Sequence, residues 1–436
     1  MSRIPVITAI DLGTDKCATL IATVLEGTSQ LQVVGVSVVP SRGMKRSTII
    51  NLEQVVETMT ESLDAAERMA GFDVKNVFLS FSGTHIGTLN SKGVVAVASP
   101  TQEIAAEDVD RVIEAARAIS LPTDREIVHV IPRNFKVDSQ DGIKDPVGMT
   151  GVRLEAEVHI VTGMSTAMRN LEKCVNDLGL QVDGFVFSGL AATEVVLSET
   201  EKELGVVVAD IGAGSTSICA YVDGALAFSG ALPIGARHIT QDIALGCRVS
   251  LDSAEKIKVA LSKEEHQIAS PFPGESKEEL NKRRKKADEL DVKSLNLDEN
   301  VDSLSKRALV EGIMVPRMKE ICQMIKQQLD REGLTQQVPA GLVITGGGAE
   351  TVGLVEVAKR VLNLPVRVGK PVELGGLVND IQKPSFATSI GLLQYGRRQH
   401  PSQVLKKSSD FGSFFPAFKG GNIVQKLVDA IKSVIP

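Results

Sequence analysis

An acidic residue, two alternating glycines and two hydroxyl residues follow an apolar run near the middle of the chain. The run, residues 206–209, is typical of a buried strand. The glycines let the backbone turn tightly and offer bare N–H groups to an anion, the hydroxyls add donors, and the acid could hold a cation that phosphates share. The five residues are Asp210, Gly212, Gly214, Ser215 and Thr216. Alone, the pattern also fits an ordinary glycine-rich hairpin of a β-protein.

The same pattern occurs at the start of the chain. A predicted strand over 6–10 runs into Asp11, Gly13, Thr14 and Lys16, and further strands follow over 17–24 and 31–39. The two acids are 199 residues apart (210 − 11), and the order of strand, acidic glycine turn, strand, turn and strand is repeated. This duplication favours two facing hairpins that grip a nucleotide's phosphates, with Asp11 and Asp210 flanking a metal; coincidence is the weaker alternative.

A third glycine turn lies late in the chain. The predicted strand 341–345 runs into Gly346, Gly347 and Gly348, which suits close approach of the backbone to a flat base or ribose. The alternative is a strand-to-helix turn that simply needs small residues. The next predicted helix, 384–399, carries Ala387, Ser389 and Gly391, small residues that permit a close crossing with another helix.

Composition limits the class of protein. A chain of 436 residues exceeds one ordinary core and predicts two or more lobes, and an apolar share of 43% suits a soluble α/β protein. A net charge of −6 argues against nucleic acid as the main partner. The five cysteines are scattered without zinc spacing, which favours reduced thiols, and the N-terminal residues lack an apolar signal region. We therefore expect a cytoplasmic protein.

Between the glycine turns, local signals predict the supporting elements. A helix should run from the capping residue Asn51 to Gly71, and residues 84–161 have the short alternating strands and single helix of an inserted α+β subdomain. Residues 262–303 are polar and include five consecutive basic residues at 282–286. The favoured interpretation of this tract is a solvated, mobile excursion, and the alternative is a binding patch.

The C-terminal residues predict a linker and an amphipathic helix. Residues 400–421 are polar with scattered phenylalanines, and the last segment is about 14 residues long, too short to span a membrane. A helix packed back on the core is possible, but the preceding linker favours an interfacial membrane anchor. Its apolar face comprises Ile423, Val424, Leu427, Val428, Ile431, Val434 and Ile435.

The three glycine turns, in this order, resemble the two phosphate loops and the adenosine loop of the actin/Hsp70/sugar-kinase superfamily. Within it, the chain is similar to the FtsA family of bacterial cell-division proteins, apart from about 262–306. The motifs that carry this similarity are HVIP at 129–132, IKDPVGM at 143–149, GVRLEA at 151–156, PIGA at 233–236 and TQDIA at 240–244, with the terminal helix.

The resemblance implies an α/β, actin-like two-lobe ATPase fold of duplicated ribonuclease H-like subdomains, with an inserted α+β subdomain and a C-terminal amphipathic helix. It implies ATP and Mg²⁺ as ligands, self-assembly into filaments, and binding of the FtsZ C-terminal tail at the cytoplasmic face of the inner membrane, at the division site with other divisome proteins. The inserted subdomain would take part in filament contacts and recruitment.

By the same resemblance, Gly13, Thr14, Lys16, Gly212, Gly214, Ser215 and Thr216 would hold phosphates, and Asp11 and Asp210 would hold Mg²⁺ through water. Glu255 and Lys258 would contact adenine and ribose, and Gly346, Gly347 and Gly348 would close over the nucleoside. Glu194 would position the attacking water, with slow hydrolysis at most.

Three alternatives share the superfamily. A small-molecule kinase would need a substrate-binding acid and no membrane helix, a pilus-assembly actin homologue should lack the C-terminal anchor, and an Hsp70-type chaperone would need a substrate domain. The expected division of the chain is a first lobe, 1–83 and 161–197, closed by the helix 384–399; an inserted subdomain, 84–160; a second lobe, 198–383, with a charged excursion, 262–306; a linker, 400–421; and a membrane-targeting helix, 422–436.

Overall fold

The computed structural model describes residues 6–24, 30–99, 101–263, 276–299, 301, 303–372, 374–376 and 381–399. They form two lobes, each with helices packed on a β-sheet, and a smaller subdomain inserted in the first lobe. The two-lobed α/β architecture predicted from the sequence is confirmed. The predicted linker and amphipathic helix lie outside the described residues.

The first lobe begins with a three-stranded antiparallel meander. Its strands are rich in β-branched and apolar residues, and almost all of β2 is buried. The helix that follows begins after Asn51, whose side chain accepts a hydrogen bond from the N–H of Gln54, and ends at Gly71 with a φ of 70°. Both predicted helix ends are confirmed. The elements are β1 (Val6–Leu12), β2 (Lys16–Val24), β3 (Leu31–Pro40), β4 (Met44–Lys45), β5 (Thr48–Ile49), α1 (Leu52–Ala70) and β6 (Asn76–Phe81).

The inserted subdomain is a four-stranded antiparallel sheet with one helix packed on it, in the strand order β7-β10-β8-β9. The helix lies so close to β7 that a Cβ at Gly93 would be 2.3 Å from the carbonyl oxygen of Val112. The two strands expected over 127–131 and 134–137 are one strand, because a register shift near Pro132 accommodates its missing N–H. The elements are β7 (Gly87–Ala96), α2 (Ala106–Arg117), β8 (Arg125–Val137), β9 (Gln140–Ile143) and β10 (Arg153–Met164).

The chain then returns to the first lobe and completes its sheet. The strand β11 pairs in parallel with β6, and the sheet order becomes β11-β6-β1-β2-β3. The helix α4 is buried along almost its whole length, which fits its mostly apolar and small residues. These elements are α3 (Ser165–Asp177), β11 (Gln181–Phe187), α4 (Ser188–Val196) and α5 (Glu199–Leu204).

The second lobe repeats the opening meander. Its last hairpin turns at Asp223 and Gly224, which have φ values of 54° and 80°, so the hairpin turn predicted there is confirmed. Two helices follow and form part of the cavity between the lobes. The elements are β12 (Val206–Ile211), β13 (Thr216–Val222), β14 (Ala225–Leu232), α6 (Arg237–Cys247) and α7 (Leu251–Lys263).

The described part of the polar tract is folded onto the second lobe. It contains α8 (Lys277–Asp288), which carries the basic run, and the short paired strands β15 (Glu289–Leu290) and β16 (Leu304–Ser305). Leu290 and Val292 are only 3% and 8% exposed, and Leu290 joins the lobe's core. The helix α8 is exposed at almost all of its described side chains, as the interpretation of a solvated excursion expects. That interpretation is wrong only for the residues after α8, because isolated apolar residues in a polar tract can be buried without giving a local periodic pattern.

The remaining elements complete both sheets. The strand β17 pairs in parallel with β12, which makes the order of the second sheet β14-β13-β12-β17-β18, while β19 lies at the edge of the first sheet beside β3. The elements are α9 (Val315–Arg331), β17 (Gly341–Thr345), α10 (Leu354–Leu362), β18 (Val366–Val368), β19 (Gly375–Gly376) and α11 (Ala387–Gln399).

The helices α4 and α11 cross at very short range. A Cβ at Gly391 would be 1.9 Å from the carbonyl oxygen of Ala191, so only glycine fits at this position. The close crossing expected from the small residues of α11 is confirmed. Among the described residues, no helix combines the length and the apolar character needed to cross a bilayer.

Candidate nucleotide-binding site

The two turns predicted as phosphate loops have the same backbone geometry. In the first, the N–H of Gly13 donates to the carbonyl of Lys16 at 2.9 Å; in the second, the N–H of Gly212 donates to the carbonyl of Ser215 at 3.0 Å. Each turn joins two antiparallel strands, β1 to β2 and β12 to β13. The repetition seen in the sequence therefore extends to hydrogen bonding, and it places equivalent loops in the two lobes.

The carboxylates of Asp11 and Asp210 lie at the ends of β1 and β12, where they line the space between the loops. Desolvation by the surrounding protein raises the pKa of both. For Asp210 it raises the pKa to about 6; a hydrogen bond from Thr388 opposes this shift, and the charge of Asp11 adds to it. A nearby cation would stabilise the ionised forms of two buried carboxylates.

The side chain of Lys16 supplies one such cation from the protein itself. Its Nζ donates to the carbonyl of Ser385 at 2.7 Å and lies 3.9 Å from the centroid of the Phe386 ring. Desolvation lowers the pKa of Lys16, whereas the charge of Asp11 raises it. The lysine is thereby held beside the acids by the turn that precedes α11.

The glycine triplet packs directly against the second of the two predicted phosphate loops. A Cβ at Gly346 would be 2.3 Å from Oδ1 of Asp210, and one at Gly348 would be 2.5 Å from Cγ2 of Ile211. At Gly347 the nearest such atom is Cβ of Ser385, at 3.9 Å. The outer glycines are therefore required by close packing, whereas the middle one presents its backbone to open space.

Glu255, Lys258 and Thr240 form a hydrogen-bonded cluster in the second lobe. The Nζ of Lys258 lies 2.7 Å from Oε2 of Glu255 and 2.9 Å from Oγ1 of Thr240, and the Thr240 hydroxyl donates to Glu255 at 2.6 Å. The cluster joins α6 to α7, and Lys258 is buried. It thus presents charged and hydroxyl groups in a fixed arrangement.

These groups surround one cavity of about 630 Å³ between the lobes, which is in the size range of small-ligand sites. It brings together most of the residues predicted from the sequence, although they come from opposite ends of the chain. The predicted residues that line it are Asp11, Gly13, Thr14, Lys16, Asp210, Gly212, Gly214, Ser215, Glu255, Lys258, Gly346, Gly347 and Gly348.

Two predicted residues do not line the cavity. The hydroxyl of Thr216 donates to the carbonyl of Ile234 at 2.7 Å, so it fastens β13 to the segment before α6 instead of facing a phosphate. Glu194 is ion-paired with Arg398 of α11, and its side chain is 7% exposed. Ser188, the first residue of α4, lines the cavity, and Glu194 lies six residues, or about 9 Å, further along the helix.

Sequence reasoning missed several hydroxyl and charged groups of the site. Ser47 is hydrogen-bonded to the predicted residue Ser215, with 2.7 Å between their Oγ atoms, and Ser82 and Ser217 are similarly paired at 2.8 Å. Isolated serines give no signal in a sequence. A signal did exist for Arg237, which follows the PIGA motif at 233–236 and lines the cavity.

The predicted metal site and the predicted membrane-binding residues are not supported by side-chain contacts in the part of the chain that the structure describes. Within the described ranges, no group of three or more His, Cys, Asp or Glu side chains is arranged to hold a metal ion. The predicted membrane-binding residues, Ile423 to Ile435, lie outside the described part of the chain and remain a prediction from sequence.

Two family models match the chain. Residues 83–162 match the model described as "SHS2 domain inserted in FTSA", and residues 207–391 match "Cell division protein FtsA". The first match covers the inserted subdomain, and the second covers most of the second lobe and the start of α11.

Full-length relatives decide the family. Cell division protein FtsA of Borreliella burgdorferi is 39% identical, over 94% of this chain and 95% of that protein. The chain belongs to the FtsA family. The FtsA of Pseudomonas aeruginosa is 36% identical, over 93% of this chain and 90% of that protein. The family resemblance predicted from the motifs is confirmed, and the chain is an actin-like cell-division protein that acts with other proteins of division.

A solved structure supports the fold of this FtsA family member. The PilM–PilN type IV pilus biogenesis complex matches with a TM-score of 0.60 at 16% identity, over 90% of this chain and 98% of that one. At this identity the likeness concerns the fold alone. The pilus-assembly and kinase alternatives are not favoured, because the relatives that match nearly the whole chain are cell-division proteins.

Proposed function

We propose that this FtsA family member binds ATP and Mg²⁺ between its lobes, polymerises, and ties the FtsZ ring to the cytoplasmic face of the membrane at the division site. The observation that carries the nucleotide part is the convergence of three glycine turns on one cavity. Two of them are equivalent loops from different lobes, and the third packs against the second loop.

The two loops would hold the phosphates. Tight glycine turns present backbone N–H groups to an anion, and the hydroxyls of Thr14 and Ser215 add donors at the tips of the loops. Lys16 adds a positive charge on the same side of the cavity. The site therefore offers donors and a cation where a polyphosphate chain needs them.

Asp11 and Asp210, which line the cavity, fit Mg²⁺. Magnesium is usually bound by one or two carboxylates, water and the substrate's phosphates. The raised pKa values of both acids mark carboxylates whose ionised forms are poorly compensated by the protein alone. A bound Mg²⁺ would supply the missing positive charge and neutralise the phosphates.

The nucleoside would lie between the glycine triplet and the cluster on α6 and α7. Gly347 leaves open space above its backbone, which suits contact with a flat ring or a sugar. Glu255 can accept hydrogen bonds from ribose hydroxyls, and Lys258 and Thr240 hold that carboxylate in place.

The tethering part is supported by family membership and by the sequence of the C-terminal segment. A single short amphipathic helix binds a membrane weakly, and Lys426 and Lys432 would each add roughly 1 kcal/mol on anionic lipid. A filament carries many such helices on one rigid body, so the weak contacts combine into avidity. We expect the inserted subdomain, 84–160, to contribute filament contacts and the second lobe, 198–383, to bind the FtsZ C-terminal tail.

A co-sedimentation experiment tests the proposal. The full-length protein is mixed with FtsZ and anionic liposomes, with and without ATP and Mg²⁺, and the pellet is analysed. We expect FtsZ to pellet with the liposomes only when this protein is present, and more of it to pellet with ATP. FtsZ without its C-terminal tail is the control and should stay in the supernatant. Failure of intact FtsZ to pellet under any condition would contradict the tethering function.

A further inference from the structure

The hairpin between β3 and α1, formed by β4 and β5, has unusual residues in its turn. Its strands pair Met44 with Ile49 and Lys45 with Thr48, which leaves a two-residue turn. The turn residues, Arg46 and Ser47, have φ values of 48° and 59°. Both are in the left-handed region, where a glycine would sit without strain. Strained residues of this kind concentrate at functional sites, so the serine side chain calls for an explanation.

Ser47 contacts both phosphate loops. Its backbone N–H donates to Oγ1 of Thr14 in the first loop at 2.9 Å, and its hydroxyl lies 2.7 Å from that of Ser215 in the second loop. At Gly214, an added Cβ would be 2.6 Å from Oγ1 of Thr14 and 2.8 Å from Cα of Arg46. The hairpin turn therefore fills the space where the tips of the two loops meet, and Ser47 lines the cavity there.

We propose that the hydroxyl of Ser47 contacts the terminal phosphate of a bound nucleoside triphosphate and so sets the preference for triphosphate over diphosphate. The inference rests on the proposed nucleotide site. Because the loops grip the phosphate chain from opposite lobes, its far end lies where their tips meet. A terminal phosphate there accepts hydrogen bonds from Ser47 and Ser215 in place of the bond between them. A diphosphate ends before this point and leaves that bond intact.

The variant Ser47→Gly removes the side-chain hydroxyl and keeps the backbone contact of the turn. Glycine keeps the N–H that donates to Thr14 and adopts the positive φ without strain, so the hairpin should be retained and the melting temperature should not fall. Thr48→Ala is the matched control, because Thr48 is exposed on the same hairpin and does not line the cavity.

Calorimetry with Mg²⁺ present then measures the affinity for a non-hydrolysable ATP analogue and for ADP. For Ser47→Gly we expect the affinity for the ATP analogue to fall about tenfold, which is the effect expected from the loss of a hydrogen bond to a charged group. The affinity for ADP should change by no more than about twofold. Thr48→Ala should match the wild type with both ligands.

Equal effects of Ser47→Gly on the two nucleotides, or no effect on either, would overturn the assignment of Ser47 and leave the nucleotide site standing. Binding of neither nucleotide by the wild type would overturn the nucleotide site itself, and the assignment of Ser47 with it.

Discussion

Thr388 and Ser389 are consecutive residues of α11, yet their hydroxyls donate to carboxylates from different lobes. Thr388 donates to Asp210 at 2.9 Å, and Ser389 donates to Asp11 at 3.2 Å. One turn of one helix thus holds the two acids relative to each other. A rotation between the lobes must stretch one of these bonds, so the geometry of the proposed metal site depends on the position of α11.

Gly347→Arg should abolish ATP binding, with an affinity loss of about 100-fold or more. The added side chain would enter open space in the cavity, where the nearest atom to a Cβ is 3.9 Å away, so the fold should tolerate it. Calorimetry measures the binding, and the melting temperature without nucleotide should stay within about 2 °C of the wild type. Gly312→Arg is the control, because Gly312 is exposed and has no neighbour within 4 Å of a Cβ. Wild-type affinity in Gly347→Arg would refute the proposed cavity.

Asp210→Asn should remove most of the gain in ATP affinity that Mg²⁺ provides, while the affinity in EDTA changes little, because the lost charge acts through the cation. Calorimetry in Mg²⁺ and in EDTA measures the difference. Asp223→Asn is the control, since Asp223 is exposed in the hairpin turn after β13 and asparagine tolerates its positive φ. Equal losses in Mg²⁺ and in EDTA would argue against a metal-binding role.

Glu194→Gln should leave ATP hydrolysis within about twofold of the wild type, which we expect to be below about 1 s⁻¹. Glu194 is paired with Arg398 and does not line the cavity. Loss of this pair should reduce the free energy of unfolding by about 1 kcal/mol, because Arg398 is partly exposed. Glu199→Gln is the control and should change neither property, because the side chain of Glu199, which pairs with Lys202, is 84% exposed. A tenfold fall in the hydrolysis rate of a stable Glu194→Gln variant would instead support the role in positioning the attacking water that the family resemblance implied.

His129→Gln should make the protein less sensitive to acid. The Nε2 of His129 accepts a hydrogen bond from the N–H of Phe187 at 3.0 Å, and burial lowers the pKa of the imidazole to about 4. The unfolded chain therefore binds a proton below about pH 6.5 that the folded protein does not, and stability falls as the pH falls from 6.5 towards 4. At pH 5 this group alone lowers the free energy of unfolding by up to about 2 kcal/mol relative to pH 7.

Urea unfolding followed by circular dichroism at pH 7 and pH 5 measures the effect. Glutamine keeps an acceptor oxygen for the N–H of Phe187 but cannot be protonated in this range. The free energy of unfolding should therefore fall less between pH 7 and pH 5 in the variant than in the wild type. An equal loss in His129→Gln and the wild type would show that His129 does not carry the acid sensitivity.

Leu427→Glu should release the protein from anionic liposomes at moderate salt while ATP binding is unchanged. The substitution puts a charge in the middle of the apolar face predicted for the terminal helix. Gln425→Glu makes the same change of charge on the predicted polar face and should retain most binding. Sedimentation of Leu427→Glu with the liposomes would favour a helix packed on the core instead of a membrane anchor.

Local signals in the sequence were enough to predict much of this protein. The duplicated acid and glycine turns, the helix ends at Asn51 and Gly71, and the hairpin turn at Asp223 all depend on backbone conformations that particular residue types favour over a few positions. Such preferences act at short range and are readable without the fold. Most of the site residues that these turns predicted do line the cavity.

Only the tertiary structure decided which isolated side chains reach the cavity. Ser47 and Thr388 line it because the hairpin after β3 and the start of α11 meet there. Glu194 does not, because α4 carries it away from the cavity and towards Arg398. A single hydroxyl or carboxylate gives no periodic pattern in the sequence. Its neighbours, which lie up to hundreds of residues away in the chain, are set by the packing of the two lobes against each other.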